Sequence, residues 1–405
     1  MKRGALKAAF CLAVLFWIQR PLYAEEAPKG LGPGWFSLDG SVGILDQKID
    51  EGRSALEKAL FGISIGAFLD TSYTWSSNHP GFTANHNISG RYFDKDQNKI
   101  IFNDFNLTLD KPEKDWGVGL HVAGDFGRTA ELLREATLWA SKLRKESSAE
   151  LREAFLTYTI PVGEGLQLKG GKFVTLLGTE ILLNPGAYND NISRSFLFNL
   201  GVPLTHTGVL FTYPLLKILS ISAGPVTGWD NPHDNNGQPS FLGGITLTPA
   251  DAFSLVSSII SGPEQRHLSG RQRTAWSNVA TIKPFDPLAL SVEYTYGHEE
   301  KVTSSLRNAT WQGVAGIASY GWTDRFTTAL RGEIFKDSDG ARTALAHDVR
   351  LSELTLTGAY KFTAKLLGRV EVRQDWSDRK FFAKGNGSST DQSQTTLALQ
   401  AIYTF

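Results

Sequence analysis

The chain has 405 residues, and its 41 Lys and Arg residues are balanced by 41 Asp and Glu residues. This balance gives no basic excess that would indicate a nucleic-acid partner, and a single cysteine excludes a framework of intrachain disulfides. With 40 Gly and no run of about 18 apolar residues beyond the N-terminal region, the composition is typical of strands rather than transmembrane helices.

Residues 1–24 have the pattern of a secretory signal peptide. A basic start is followed by an apolar core over 8–18, and small residues favour cleavage after Ala24. The only cysteine, Cys11, lies in the apolar core. The exported chain would therefore carry no thiol, and it would be slightly acidic.

Residues 25–61 are predicted to form a linker and a short periplasmic amphipathic helix. The linker at 28–34 is rich in Pro and Gly. The helix could lie on the rim of the following domain, enter its lumen, pair with copies of itself, or remain solvated. Its apolar residues recur at helical spacings among charged residues, at Val42, Leu45, Ile49, Leu56 and Leu60.

From residue 62 onward, apolar and polar residues alternate in segments of strand length. In the first segment, near 63–75, Ile65 and Leu69 share one face and Asp70 lies on the other. A stretch at 127–149, rich in Leu, Glu and Arg, is predicted to be helical. The other predicted strands lie near 101–109, 116–123, 151–160, 165–175, 204–213, 217–228, 240–249, 252–261, 272–283, 288–298, 309–322, 325–336, 350–362, 364–376 and from 393 to the end.

Short turns and long loops alternate along the chain. Short connections such as 248–251 lie within pairs of strands, whereas long ones such as 76–98 separate the pairs. Outer-membrane barrels have short periplasmic turns and long extracellular loops, whereas a soluble sandwich has no reason to sort its loops by length. The pattern predicts an all-β fold over 62–405, a transmembrane antiparallel up-and-down β-barrel of about 16 strands.

The last strand resembles the C-terminal assembly signal of outer-membrane barrels. Leu397, Leu399, Ala401, Tyr403 and Phe405 share one face, and a closing strand leaves no edge because it pairs with the first. We expect contact with outer-membrane lipid and recognition by the barrel-assembly machinery through Phe405. Aromatic residues near strand ends are expected to form two interfacial girdles: Tyr73, Trp75, Trp116, Trp229, Tyr360, Phe362, Trp376, Tyr403 and Phe405.

Charged residues on one face of several strands indicate a wet lumen. Arg369, Glu371 and Arg373 alternate with Val370 and Val372, and turning one Arg toward mid-bilayer hydrocarbon would cost about 2–4 kcal/mol. A barrel of about 16 strands leaves an aqueous channel, so we expect passive diffusion of small hydrophilic solutes and ions, with no catalytic residue, metal or cofactor. The predicted pore-lining residues are Asp70, Asp104, His121, Lys169, Glu293, Arg331, Glu333, Lys361, Arg369, Glu371 and Arg373.

The longest break, 177–203, is a candidate constriction loop. It contains Glu180, Asp190 and Arg194 among apolar residues, and such an apolar loop is expected to fold into the barrel. Packing over the barrel mouth or in a contact between copies is the alternative. The basic wall residues that it would face are Arg331, Arg369 and Arg373.

Four segments resemble the putative beta-barrel porin-2 family (OmpL-like). They are 102–112 (FNDFNLTLDKP), 165–180 (GLQLKGGKFVTLLGTE), 191–198 (NISRSFLF) and 203–213 (PLTHTGVLFTY). The resemblance covers about 60–405 and implies an outer-membrane porin with no defined substrate and no catalytic residues to transfer. Neither 131–149 nor the N-terminal amphipathic segment matches the family. By analogy with barrels of this size, a homo-oligomer such as a trimer is expected.

Two other classes of function stay open. An outer-membrane phospholipase or protease would need a histidine beside a nucleophile or carboxylate, and a structural or adhesin barrel would bind through its loops without conducting. No nucleophile motif accompanies a histidine here, and two histidines without a third ligand are weak evidence for a metal. The sets considered are His121 with Asp125, His206 with Thr205 and Thr207, His233 with Asp234, and the pair His79 and His86. The sign of ion selectivity is not predicted, because acidic and basic residues are interspersed.

Overall fold

The strands close into one barrel. In the described residues, 16 antiparallel strands each pair with their neighbours along the chain. The first and last of them pair from Phe68 with Thr404 to Ser76 with Thr396, so the barrel has no free edge. The predicted all-β up-and-down barrel is therefore confirmed. The computed structural model describes residues 47–54, 56–57, 63–81, 87–113, 117–138, 147–345 and 347–405.

The strand bounds lie within a few residues of those predicted from the alternation. A separate hairpin, β16 (Phe382–Lys384) and β17 (Gly387–Asp391), lies in the loop before the last strand. The barrel strands are β1 Ser64–Ser76, β2 Ile100–Lys111, β3 Gly119–Phe126, β4 Ala149–Ile160, β5 Leu166–Val174, β6 Thr205–Leu216, β7 Leu219–Val226, β8 Ser240–Ala250, β9 Phe253–Pro263, β10 Gln272–Phe285, β11 Leu288–Glu299, β12 Ala309–Gly321, β13 Phe326–Asp337, β14 Val349–Lys361, β15 Leu366–Ser377 and β18 Ser393–Thr404.

The connections are sorted by length. Short turns at 217–218, 251–252 and 286–287 lie at one end of the barrel, and loops such as 77–99 and 175–204 lie at the other. Short turns face the periplasm in outer-membrane barrels, and long loops face the outside. The two ends are named accordingly below.

A helix, α1 (47–54), lies at the periplasmic rim beside the seam of the barrel. Arg53 Nη1 donates a hydrogen bond of 2.9 Å to the carbonyl O of Phe405, and Lys365 forms an ion pair of 2.9 Å with Asp50. The signal peptide and linker predicted within residues 1–46 lie outside the described residues. No helix in the described part of the chain is long and apolar enough to cross a membrane.

A second helix, α2 (Arg128–Leu138), lies in the extracellular loop between β3 and β4. It covers the first half of the stretch predicted to be helical, and residues 139–146 lie outside the described part. Leu132 and Leu133 are buried, and the carbonyl O of Leu132 accepts a 2.6 Å hydrogen bond from the hydroxyl of Tyr92. These contacts fold the helix against the barrel instead of into solvent.

The wall has an apolar outer face and a polar inner face. On β14 and β15, Leu356 and Val370 are 48% and 54% exposed, whereas Arg369 and Arg373 are 5% and 0% exposed. This arrangement follows from strand periodicity and from the high cost of a guanidinium in hydrocarbon. The charged residues therefore point into the barrel, as the alternation predicts.

One aromatic residue does not lie where the girdle prediction puts it. Trp229 is buried inside the barrel and packs edge-on against Trp311, with ring centroids 6.2 Å apart. The loop after β7 folds inward and carries this side chain with it. Tyr360, Phe362 and Trp376 are exposed on the outer face as expected, and Trp116 lies outside the described residues.

Candidate functional site

The loop between β5 and β6 folds into the barrel. This inner segment (175–204) begins and ends side by side, because the amide of Thr175 donates a 3.0 Å hydrogen bond to the carbonyl O of Leu204. It contains a π-helical turn at Leu197–Gly201, and both Phe196 and Leu197 are completely buried. The segment therefore lies inside the lumen rather than extending into water.

Wall glutamates accept hydrogen bonds from the backbone of the inner segment. A buried amide without a partner is costly, and a carboxylate with two oxygens can accept from consecutive amides. Each of these glutamates therefore fixes the segment at one position on the wall. Glu333 on β13 accepts from Phe196 and Leu197 (both 2.6 Å), Glu371 on β15 accepts from Ile192 and Ser193 (2.6 and 3.1 Å), and Glu293 on β11 accepts from Thr179 (2.9 Å).

Wall arginines donate hydrogen bonds to carbonyl groups of the same segment. Charged hydrogen bonds of this kind are stronger than neutral ones. Together the glutamates and arginines bond to four amides and three carbonyl groups of the segment between 189 and 197. The pairs are Arg331 with Ser193 (2.6 Å), Arg373 with Arg194 (2.6 Å) and Arg369 with Asn189.

Arg331 lies at the centre of a buried charge network. Its guanidinium is 2.8 Å from the carboxylate of Glu180 in the inner segment and 2.6 Å from that of Glu353 on β14. Arg373 likewise forms a 2.6 Å ion pair with Asp375. Removing one partner of a buried pair typically costs about 3–5 kcal/mol, because the other charge is left uncompensated. The network therefore holds the segment firmly against the wall.

Apolar side chains fill much of the extracellular half of the interior. Leu177, Phe196, Leu197 and Val202 of the inner segment form one buried cluster with wall residues near the extracellular strand ends. The indole Nε1 of Trp311 donates a 3.0 Å hydrogen bond to the carbonyl O of Gly201. This half is packed like a protein core, and the wall members of the cluster are Phe173, Leu210, Val226, Leu242, Ile260, Ala275, Trp311, Ala315, Phe335, Val349 and Leu351.

Two further extracellular segments reach inward. Arg91, in the loop between β1 and β2, forms a buried ion pair of 2.9 Å with Asp375. Leu133 of α2 packs with Leu182 and Phe198 of the inner segment in a second buried cluster. These contacts brace the inner segment on the side of β1–β4.

A cavity of about 420 Å³ lies on the periplasmic side of the inner segment. Wall residues beside the short turns line it, including Thr248 and Asp251. Its charged lining residues are Glu180, Asp190, Asp251 and Lys283. Apolar side chains alternate around the cavity with ten Ser and Thr residues, whose hydroxyl groups it also contacts: Thr175, Thr179, Ser222, Thr246, Thr248, Ser254, Ser258, Thr281, Ser291 and Ser319.

Most of the predicted pore-lining residues point inward but are covered. The charged faces of the strands predict that these residues border water, whereas in this conformation the inner segment and the extracellular loops lie over them. The difference arises because strand alternation determines the face of the wall on which a side chain lies. It does not determine whether water or another segment of the protein covers that side chain. The buried ones are Asp70, Asp104, Glu293, Arg331, Glu333, Arg369, Glu371 and Arg373; His121, Lys169 and Lys361 are partly exposed.

The three residues of the predicted constriction loop have different surroundings. Glu180 is buried and paired with Arg331, and Arg194 is buried with its guanidinium over the ring of Phe198. Asp190 is exposed in the cavity, and its carboxylate lies 3.3 Å from the hydroxyl of Ser319. Glu180 and Asp190 both line the cavity, but of the three residues only Asp190 is exposed.

The histidines do not form the sets considered for an enzyme. In the described part of the chain, His121 and His206 contact other residues than the partners considered for them, and no group of three side chains there could hold a metal ion. His86 lies outside the described part. The contacts are His121 with Asp110 (3.2 Å) and Glu153 (3.6 Å), His206 with Gly228 O and Thr175 Oγ1 (both 3.0 Å), and His79 edge-on to Trp75; Asp234 accepts from the amides of Asn236 and Gly237.

Several members of the charge network are not among the predicted pore-lining residues. Glu353 alternates with Leu354 and Leu356, so the same face rule would have found it. Arg152 also lies on a strand, where it pairs with Asp125 at 3.3 Å. Arg91 lies in a loop, where no periodicity indicates its direction.

The barrel resembles solved structures of outer-membrane channels. The outer membrane channel DcaP of Acinetobacter baumannii gives a TM-score of 0.57 at 16% identity, covering 85% of this chain and 97% of that chain. The anion-selective porin from Comamonas acidovorans gives 0.57 at 9% identity, covering 85% and 99%. The trimer form of OmpT of Vibrio cholerae gives 0.54 at 13% identity, also covering 85% and 99%. At these identities the likeness establishes the fold alone. No curated protein matches this chain in sequence.

A family model matches the sequence over the whole barrel. It is described as putative beta-barrel porin-2, OmpL-like, and it covers residues 62–405, which include β1 to β18. This match confirms the resemblance carried by the four segments. The protein belongs to the putative beta-barrel porin-2, OmpL-like family and is an outer-membrane porin, a channel for passive diffusion.

Proposed function

We propose that small hydrophilic solutes and ions pass through this porin along the barrel axis and that the inner segment is its constriction. The observation that carries the proposal is the position of the segment between the apolar extracellular half and the hydroxyl-lined cavity. Because the extracellular half is packed, conduction requires the segment to shift from this position. The unit conductance of the unmodified protein is therefore expected to be small.

The predicted pore-lining residues have two roles in this proposal. Arg331, Glu333 and Glu371 hold the segment against the wall and meet water only when it shifts. Asp190 and Lys361 lie toward the periplasmic side and are not fully covered in this conformation. The charges that a solute meets therefore depend on the position of the segment.

Single-channel recording tests the constriction. Residues 181–197 are replaced by a short Gly/Ser linker, which can join the ends because Thr175 and Leu204 are hydrogen-bonded. We expect a several-fold larger unit conductance in planar bilayers. Removal of 302–306 from the loop between β11 and β12 is the control and should leave conductance unchanged. An unchanged conductance in a folded barrel lacking 181–197 would contradict the proposal.

We also propose that the protein forms a homo-oligomer, such as a trimer. A groove of about 620 Å³ on the outer face of β1, β14, β15 and β18 is lined by small residues such as Gly358 and Ala401 and by aromatic residues such as Tyr73 and Tyr360. Gly358→Leu would fill the groove and should reduce the oligomer in light scattering of purified protein. Gly316→Leu, on the outer face of β12 with open space around it, is the control.

Outer-membrane lipid and the barrel-assembly machinery are the remaining proposed partners. Leu397 and Leu399 are 49% and 56% exposed on the outer face of β18, where acyl chains would cover them. Phe405 directly follows this strand, and its amide donates a 2.9 Å hydrogen bond to the carbonyl O of Ala67. Deletion of Phe405 should reduce the amount of folded barrel in the outer membrane of cells, whereas Phe405→Tyr should not.

A further inference from the structure

The inner segment decides which charges border the periplasmic cavity. It covers the guanidinium groups of Arg331 and Arg373, which are completely buried and donate to its carbonyl groups. On its opposite side it presents Asp190, which is exposed in the cavity. In this position of the segment, the wall arginines that the sequence predicts to line the pore do not border the cavity.

The carboxylate of Asp190 is poorly compensated compared with its neighbours. In the described part of the chain, Glu180 pairs with Arg331 at 2.8 Å, whereas no Lys or Arg lies within ion-pairing distance of Asp190. The charge of Arg369 acts on Asp190, but its guanidinium donates to the side chain of Gln400 and to the carbonyl O of Asn189. Asp190 therefore places a carboxylate without an ion-pair partner on the side of the cavity that the inner segment forms.

The remaining charges of the cavity largely cancel. Asp251 and Lys283 both lie beside periplasmic turns, on β8–β9 and β10, and they carry opposite charges. A fixed charge in a narrow cavity with walls of low dielectric focuses the field and concentrates ions of the opposite sign. The hydroxyl groups of Thr281, Ser291 and Ser319 supply oxygen atoms that can replace part of the hydration shell of a cation.

We infer that this porin selects small cations over anions and that Asp190 is the residue that determines this preference. The inference rests on the proposed function, because it applies to ions that traverse the cavity. Alkali-metal ions and small ammonium compounds are the solute class expected to be favoured. Larger anions such as phosphates are expected to be disfavoured.

Reversal potentials in a KCl gradient across a planar bilayer test the inference. The unmodified protein should be several-fold more permeable to K⁺ than to Cl⁻. Asp190→Asn should bring the permeability ratio of K⁺ to Cl⁻ close to one, and Asp190→Lys should make the protein more permeable to Cl⁻. Asp348→Asn is the control, because Asp348 is exposed in an extracellular loop and pairs with Arg379; its ratio should equal that of the unmodified protein.

The outcomes separate the two proposals. A conducting protein that prefers Cl⁻, or whose ratio is the same with and without the Asp190 carboxylate, would overturn the inference and leave the proposed diffusion path intact. A folded protein that does not conduct even after replacement of 181–197 would overturn both. Each variant is first tested for folding. A folded barrel resists unfolding by detergent at room temperature.

Discussion

The Nε of Arg331 lies 2.6 Å from a carboxylate oxygen of Glu353 on the neighbouring strand, and both side chains are completely buried. The opposite side of the same guanidinium contacts Glu180 of the inner segment. One side chain thus connects two wall strands to the segment that fills the lumen. Loss of this side chain should therefore affect stability and conductance together.

Arg331→Leu is expected to lower the free energy of unfolding by about 3–5 kcal/mol, because two carboxylates lose their buried partner. Unfolding of the protein in lipid vesicles by increasing concentrations of guanidinium chloride measures this change. Arg379→Leu is the matched control: its pair with Asp348 is 53% exposed on both sides, and exposed pairs contribute about 0–1 kcal/mol. Equal effects of the two substitutions would show that the network around Arg331 does not hold the segment.

A reversible cross-link tests whether conduction requires the segment to shift. The side-chain amide of Asn191 donates a 2.7 Å hydrogen bond to the hydroxyl of Thr357 on β14, so the two side chains face each other and we choose these positions for a pair of cysteines. Oxidation of the double variant Asn191→Cys, Thr357→Cys should abolish most single-channel current, and reduction should restore it. Asn191→Cys alone should not respond to oxidant. A current that is insensitive to the cross-link would mean that solutes pass a stationary segment.

The wall was predictable from the sequence because the features that define it are local. Alternation along each strand and the sorting of loops by length act within about ten residues, so the positions of Leu356 and Arg369 follow from their neighbours. The closing of the barrel follows from the same logic, since the apolar face of Leu397 and Leu399 needs a lipid environment.

The filling of the lumen was only partly predictable. The apolar character of 177–203 indicated that it folds inward, but the bond between Ile192 and Glu371 joins residues 179 positions apart, and no local pattern encodes it. Aromatic residues near strand ends fit a membrane interface and a buried core equally well, which is why Trp229 was assigned to the girdle. Alternation placed Arg373 inside the barrel without showing whether water or protein covers it.

The outer face of β14 should respond to charge according to depth in the bilayer. Leu356 lies within the strand and is 48% exposed on that face, whereas Phe362 follows its periplasmic end and is 55% exposed. Leu356→Arg is expected to cost about 2–4 kcal/mol in vesicles, and Phe362→Arg about 0–1 kcal/mol, because a residue at the interface keeps its guanidinium in water. The difference is measured by chemical unfolding. Two equal costs would mean that the periplasmic end of β14 lies deeper than its turn suggests.

Asp230 should make stability depend on pH. Burial raises the pKa of this carboxyl from 3.8 to about 6, although the amides of Thr205 and Leu204 donate hydrogen bonds to it. Between these values the folded protein binds a proton that the unfolded chain has released, so the free energy of unfolding falls as the pH rises from about 4 to about 6. Asp230→Asn keeps an accepting oxygen, suits the positive φ of 57° at this position and cannot titrate. It should therefore remove up to about 3 kcal/mol of this fall, measured by unfolding at pH 3.5 to 7.

Asp234→Asn, exposed in the same loop, is the control and should leave the pH profile unchanged. If the Asp230→Asn profile matched that of the unmodified protein, the carboxyl would have to titrate alike in the folded and unfolded states.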